Sequence, residues 1–173
     1  LFNLNENVEE FKGYSPVPEY FLKNIFIFLN KNNLINNYTL VDLGSGLGRV
    51  LCYSSKYNFK KIIGIELSKT LYAKSLLNIN KLKNKSNIKC VNYNFLEYSF
   101  LKENTVFFMH DTVRKKGFEQ FIIKVHNELK NHKVLLVYYN PTYDFIIESD
   151  IKFKKIKDNK LKNKKGFCIY KLL

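Results

Sequence analysis

The sequence predicts an α/β protein: a three-layer sandwich on a seven-strand sheet, mostly parallel, with an antiparallel last strand. Three observations lead there. Short apolar runs alternate with longer windows of helical periodicity, the rhythm of βαβ units. The first five runs are rich in Val, Ile, Leu, Phe and Tyr, as expected of strands covered on both faces. Beyond residue 150 the rhythm breaks into a weak run, a lysine-rich stretch and a last apolar run, which reads as a closing hairpin.

Taken in order, residues 17–30 form the first helical window, opening after Ser15-Pro16, a cap-like residue followed by proline. Strand runs follow at 39–43, 61–66, 88–93, 105–109, 133–139 and 166–172, with a weaker one at 151–156. Helical windows lie between them. Residues 49–57 come directly after a cluster of glycines. Residues 68–83 carry Leu71, Ala73, Leu76, Leu77 and Ile79 on a recurring apolar face, with Ser68 as N-cap. Residues 115–130 place Phe118, Phe121, Ile122, Val125 and Leu129 at helical spacing. The stretch 151–165 holds eight Lys and one Asp and is expected to be a weak strand followed by a solvated basic loop.

A chain of 173 residues and 20.5 kDa fits one domain, a helical segment at 1–38 followed by a core at 39–173. The longest apolar run, residues 20–29, is broken by Lys23 and Asn24 and falls short of a membrane span. Residues 1–10 carry three acids and no basic cluster, unlike a secretory leader. Cys52, Cys90 and Cys168 lie far apart, and with His110, His126 and His132 they show no metal-ligand spacing. The expectation is a soluble cytoplasmic protein with reduced thiols and no metal. The formal charge of +14 points toward anionic partners. Yet it comes from 27 Lys against Arg49 and Arg114 alone, beside 22 Asn, which reads as a chain-wide bias and not as a groove selected for nucleic acid.

The sharpest motif is Val41-Asp42-Leu43-Gly44-Ser45-Gly46-Leu47-Gly48-Arg49-Val50. A strand runs into three alternate glycines and a helix begins at once, so a ligand can approach the main chain closely. The spacing is GxGxG, not the GxGxxG of dinucleotide folds, and no GK[ST] phosphate loop is present. Asp42 would repel a phosphate there but attract an ammonium group. Eighteen residues beyond Gly48, the strand Lys61-Ile62-Ile63-Gly64-Ile65-Glu66 ends in an acid placed to accept hydrogen bonds from both hydroxyls of a ribose.

These two segments closely resemble the class I, Rossmann-like, S-adenosylmethionine (SAM) dependent methyltransferases, and the likeness extends from about Tyr14 to the C-terminus. Within that superfamily the chain looks like small bacterial methyltransferases of unassigned substrate, which share Tyr14-Ser15-Pro16-Val17-Pro18 and Tyr138-Tyr139-Asn140-Pro141. It is more distantly similar to the seven-strand protein lysine methyltransferases, including the non-SET histone enzymes, through the DLGSGxG loop. The resemblance implies SAM as cofactor. Gly44, Ser45, Gly46 and Gly48 would line its amino acid and ribose parts, Asp42 would orient the loop or meet the ammonium through water, and Glu66, followed by Leu67, would hold the ribose. Asn94 stands where the family often has an adenine-contacting Asp, and Phe95 could pack on the ring. Tyr14 either folds over the methionine carboxylate or packs as a surface aromatic on Phe11 or Tyr20.

The fourth strand ends in His110-Asp111-Thr112, without the Asn-Pro-Phe or [DN]PP[YF] of related enzymes. His110 is a candidate general base with Asp111 orienting it or binding substrate. The alternative is that His110 caps the strand and touches only the methionine end of SAM. Asn140-Pro141-Thr142-Tyr143 resembles the NPPY of nucleic-acid amino methyltransferases but follows the fifth strand, where a helix-starting turn explains it better. The expected reaction is methyl transfer to an oxygen or nitrogen of a small-molecule or glycan acceptor. A protein lysine, a nucleic acid, and a SAM-binding module without activity are the competing readings.

Overall fold

A computed structural model describes residues 15–110, 112–161 and 165–173. Its strands are β1 (Thr39–Leu43), β2 (Lys61–Glu66), β3 (Ile88–Asn92), β4 (Thr105–His110), β5 (Val134–Tyr139), β6 (Phe153–Lys160) and β7 (Gly166–Leu172). The helices are α1 (Glu19–Lys31), α2 (Arg49–Ser54), α3 (Lys69–Asn80), α4 (Lys115–Leu129) and α5 (Asp144–Glu148). The seven strands form one sheet in the order β3-β2-β1-β4-β5-β7-β6. Strands β1 to β5 pair in parallel, and β7 runs antiparallel to both β5 and β6. This is the expected mostly parallel sheet with a reversed last strand.

Strand periodicity divides the core into two layers. Leu40, Ile62, Val106, Phe108, Leu135 and Val137 pack with α1, α2 and α3 on one face. Val41, Ile63, Ile65, Phe107, Leu136 and Tyr138 pack with α4 and α5 on the other. Aromatic contacts tie each layer together: Phe26 stacks on Tyr57 at 5.1 Å in the first and Phe118 on Tyr138 at 5.1 Å in the second. Among the described residues no helix is long and apolar enough to cross a membrane.

Two expectations need correction. The first helix does not open after Ser15-Pro16. Pro18 occupies the N-cap with no side-chain cap, and its carbonyl accepts from Phe21 and Leu22. The residue before a proline is pushed out of helical geometry, so Ser15 and Val17, each preceding a proline, stay non-helical until Pro18 is passed. The second correction concerns the basic segment. The strand β6 begins later than 151–156 and runs to Lys160, so residues 157–160 of the expected loop are edge strand, paired to β7 with a bulge at Lys155–Lys157. Lysines suit that edge because they discourage pairing with another chain. Two are also neutralised: Lys155 by Glu148 and Asp158, and Lys160 by Asp144 at 2.6 Å.

Candidate active site

The strand order reverses between β1 and β4, and open α/β sheets bind ligands in the crevice outside the carboxyl ends of the strands at such a point. Leu43 at the end of β1 is in register with Met109, so His110 stands beside the start of the glycine loop. The loop is held from the β2 side, where the Ile65 carbonyl accepts from both Gly44 N (2.9 Å) and Ser45 N (3.1 Å). Gly44, Gly46 and Gly48 all have φ between 55° and 78°, the left-handed region in which a side chain is strained.

Glu66 is the clamp of the site. It is 7% exposed, and its two carboxylate oxygens reach different loops. Oε2 accepts from Gly46 N at 2.7 Å and Oε1 from Ser68 N at 2.8 Å. One side chain thereby fixes the turn after β1 and the turn after β2. Each oxygen keeps a further lone pair, so the group can also accept from a pair of adjacent hydroxyls. Leu67, half-buried in the second turn, gives its carbonyl to Asn92 Nδ2 at 2.8 Å, and the same amide bonds the Glu66 carbonyl at 2.8 Å.

Asp42 is 3% exposed, and its Oδ2 is a buried oxygen without a hydrogen-bond partner among the described residues. Burial, reinforced by the nearby Glu66 charge, pushes its carboxyl up to about 8. A buried, unsatisfied acceptor at the mouth of a ligand loop is costly unless something else completes it. A cationic or hydrogen-bonding part of a ligand would do so. A carboxylate able to accept from two hydroxyls beside a buried acid open to a cation would suit an amino acid-bearing nucleoside, while a second phosphate-rich half would meet two carboxylates.

The remaining expected residues are distributed unevenly. Ser45 turns its hydroxyl away from the crevice to Cys90 Sγ at 3.6 Å, leaving its backbone to face a ligand. Asn94 is occupied by its own turn, with Oδ1 accepting from Leu96 N at 3.0 Å and Nδ2 donating to Glu97 at 2.8 Å. Phe95, expected against adenine, packs inward instead: it is 2% exposed, with its ring edge-on to Phe121 at 6.1 Å in the α4 layer. His110 is half-buried, its ring edge-on to Tyr139 at 4.6 Å, with Nε2 3.5 Å from Asn140 Nδ2. Tyr14 and Asp111 lie outside the described residues.

Four residues have supporting roles that were not read from the sequence. A Cβ on Gly64 would lie 2.5 Å from Leu51 Cδ1 and 2.9 Å from Ser45 Oγ, so only glycine lets the loop settle on β2. A glycine inside an apolar strand is itself a sign of such an approach. Thr112 seals the β1–β4 crevice by donating to the Leu43 carbonyl at 2.9 Å. Asn92 ties the end of β3 to the turn after β2. Asn140 takes φ 49°, which asparagine tolerates, and accepts from Gly166 N at 3.2 Å, an arrangement that turns its amide nitrogen toward His110.

A family model described as "Histone methylation protein DOT1" matches residues 7–137, about three quarters of the chain. No curated protein sequence matches it. Among solved structures, the Escherichia coli protein yhhF, described as a methyltransferase, aligns with a TM-score of 0.71 at 14% identity over 93% of this chain and 88% of its own. A Haemophilus influenzae protein described as a methylase aligns at 0.67 and 19% identity, over 90% and 98% of the two chains. An RNA methyltransferase from Salinibacter ruber, solved with S-adenosyl-L-homocysteine, aligns at 0.62 and 15% identity, over 91% and 92%. At these identities the likeness is one of fold.

Proposed function

The chain belongs to the DOT1 histone methylation family and is a class I SAM-dependent methyltransferase, and from that premise we propose that it methylates an oxygen or nitrogen of a small-molecule or glycan acceptor. SAM supplies an activated methyl group, so the protein's tasks are alignment, water exclusion and removal of one proton. Glu66 holds the ribose hydroxyls while keeping the two loops together. Asp42 faces the amino acid end. The backbone of Gly44, Ser45, Gly46 and Gly48 allows close approach, and Leu67 and Asn94 border the adenine side.

The observation that carries the acceptor reading is His110 at the end of β4. His110 Nε2 lies 3.5 Å from Asn140 Nδ2, where an imidazole nitrogen in its acceptor tautomer can take a proton. An acceptor hydroxyl replacing that 3.5 Å contact would find a base one residue from the methyl-bearing crevice. A lysine-rich protein tail would meet an enzyme of formal charge +14, an electrostatic mismatch for a histone-like substrate. A second reading, a nucleic-acid acceptor, is favoured by that same charge and by the RNA methyltransferase among the structural neighbours.

Labelled SAM offered with pools of small hydroxylated metabolites, glycans, total RNA and basic peptides tests the proposal. Label is expected in the small-molecule or glycan fraction, and His110→Ala should slow transfer by about 10²-fold or more with SAM affinity retained. Label confined to RNA or peptide would overturn the acceptor reading. Unchanged turnover in His110→Ala would remove the base.

A further inference from the structure

We infer that Thr112 is a positioning residue whose hydroxyl couples the cofactor loop to His110, so that occupancy of the cradle sets where the imidazole stands. The inference rests on the reading of His110 as the base and adds how that base is held. The β1–β4 ladder ends at the Leu43–Met109 pair, so among the described residues His110 has a register partner in β5, Tyr139, and none in β1. Beyond that point the two chains diverge. One enters the glycine loop and α2 on one face of the sheet, and the other passes through Thr112 to α4 on the opposite face. Thr112 bridges the gap. Its Oγ1 donates to the Leu43 carbonyl at 2.9 Å and lies 3.3 Å from the His110 carbonyl, so a single proton serves the last residues of both strands.

The Leu43–Gly44 peptide is held from both sides. Its carbonyl accepts from Thr112, and its N–H donates to the Ile65 carbonyl at 2.9 Å. Ile65 is followed by Glu66, whose carboxylate accepts from Gly46 N in the same loop. The Thr112 methyl adds a direct contact, since a Cβ built on Gly44 would lie 2.3 Å from its Cγ2. Hydrogen bonds joined by short stretches of backbone therefore run without a gap from Glu66 through the loop to the His110 carbonyl. Coupling between two sites travels through contiguous contacts of this kind, and a base gains from a fixed distance to the reacting atoms. Thr112 is half-buried, so its hydroxyl had solvent within reach, yet its described contacts are the carbonyls of the two strand ends. Substitution separates the two parts of the side chain. Valine keeps the methyl and loses the hydroxyl, whereas serine keeps the hydroxyl and loses the methyl.

Carbon-edited NMR of the histidine rings, with and without saturating S-adenosylhomocysteine, tests this on the wild type, Thr112→Val and Thr112→Ser. His110→Gln assigns the His110 signal, and His126, in the last turn of α4 and bonded to Asp150, is the control. In the wild type S-adenosylhomocysteine is expected to move the His110 signal and leave that of His126 in place. Thr112→Val should cut the displacement to roughly half or less, with S-adenosylhomocysteine affinity within about threefold because the Glu66 clamp is intact. Thr112→Ser should restore the displacement. With the acceptor pool that takes label from SAM, Thr112→Val should lower kcat about tenfold and leave KM for SAM little changed, since a misplaced base slows the chemical step. A full displacement in Thr112→Val, the same loss in Thr112→Ser, or a wild-type His110 signal unmoved by bound S-adenosylhomocysteine would overturn the inference. So would a Thr112→Val protein whose S-adenosylhomocysteine affinity falls as far as its rate, since Thr112 would then only support the loop. Unchanged turnover in His110→Gln, with the displacement still lost in Thr112→Val, would instead sink the base reading and leave the coupling standing.

Discussion

The two halves of the sheet solve different problems. In the half built from β1, β2 and β3, one carboxylate, three positive-φ glycines and a shared carbonyl lock two turns into a single cradle. In the half built from β4, β5 and β7, the strand ends carry His110, Asn140 and a rim of exposed side chains joined by longer contacts. The first half is backbone geometry and tolerates few residue types. The second is side-chain chemistry on a scaffold that would accept many. A cofactor common to a whole family demands the first kind of construction, and an acceptor particular to one enzyme allows the second.

The comparison breaks most readily at Gly44. Its φ of 74° disfavours any side chain, and an added Cβ would lie 2.3 Å from Thr112 Cγ2. Thr112 cannot turn away without losing its bond to the Leu43 carbonyl. Gly44→Ala is therefore expected to cost about 2–4 kcal/mol, from backbone strain plus overpacking. Chemical denaturation should show a lowered midpoint together with lost SAM binding. A variant as stable as the wild type would mean that the cradle is soft, and the contrast between the halves would fall.

Next in size is Glu66→Ala. It leaves the Gly46 and Ser68 amides without their acceptor and removes the proposed ribose ligand. SAM affinity should fall by roughly 2–3 kcal/mol, the scale for hydrogen bonds to a charged group. Calorimetric titration of the folded variant measures this. Unchanged affinity would show that the clamp serves only the fold.

Asp42 sharpens the same comparison through pH. Its carboxyl is raised from 3.8 to about 8, mainly by burial and further by Glu66. The unfolded chain ionises this group above about pH 4 while the folded protein keeps the proton, so the unliganded protein loses stability as pH rises toward 8. Between pH 7 and 8 the loss is about 1 kcal/mol. A cationic ligand favours the ionised form, so SAM should bind more tightly as pH rises through this window and release a proton below it. Asp42→Asn should flatten both slopes, with thermal melts and titrations in buffers of different ionisation enthalpy as the readouts. Parallel slopes in variant and wild type would assign the dependence to another group.

How much of this was legible in sequence follows the same division. The strands 39–43, 61–66 and 166–172 were readable to the residue, because apolar runs bounded by glycines or acids leave little freedom. Asp42, the glycines and Glu66 were visible because their spacing is dictated by backbone geometry. The supporting roles of Gly64, Asn92 and Thr112 were not legible, since they exist only once β2, β3 and β4 are side by side. The inward turn of Phe95 was hidden for the same reason: an aromatic after a strand reads alike whether it faces a ligand or the core. The reach of β6 to Lys160 was obscured by its lysines, whose charge looks like loop until the pairing with β7 is seen.

The smallest expected effect lies on that edge strand, and it asks whether the acceptor half extends so far. Lys154 is exposed and its change to Gln removes only solvated charge, so stability should stay within about 0.5 kcal/mol of the wild type. Lys160 is paired with Asp144 at 2.6 Å and largely covered, so Lys160→Gln should cost slightly more, up to about 1 kcal/mol. Both changes should weaken binding to a polyanion such as heparin, each lowering the salt slope by at most about 1, because each removes one counterion-releasing contact. Neither should alter SAM affinity or methyl transfer, since both residues are on β6, at the edge of the sheet beyond β7 and away from the β1–β4 crevice. If the pair of changes abolished transfer to RNA at physiological salt, the basic edge would belong to the acceptor site. The nucleic-acid reading would then displace the small-molecule one, and the second half of the sheet would prove no freer in its choice of residues than the first.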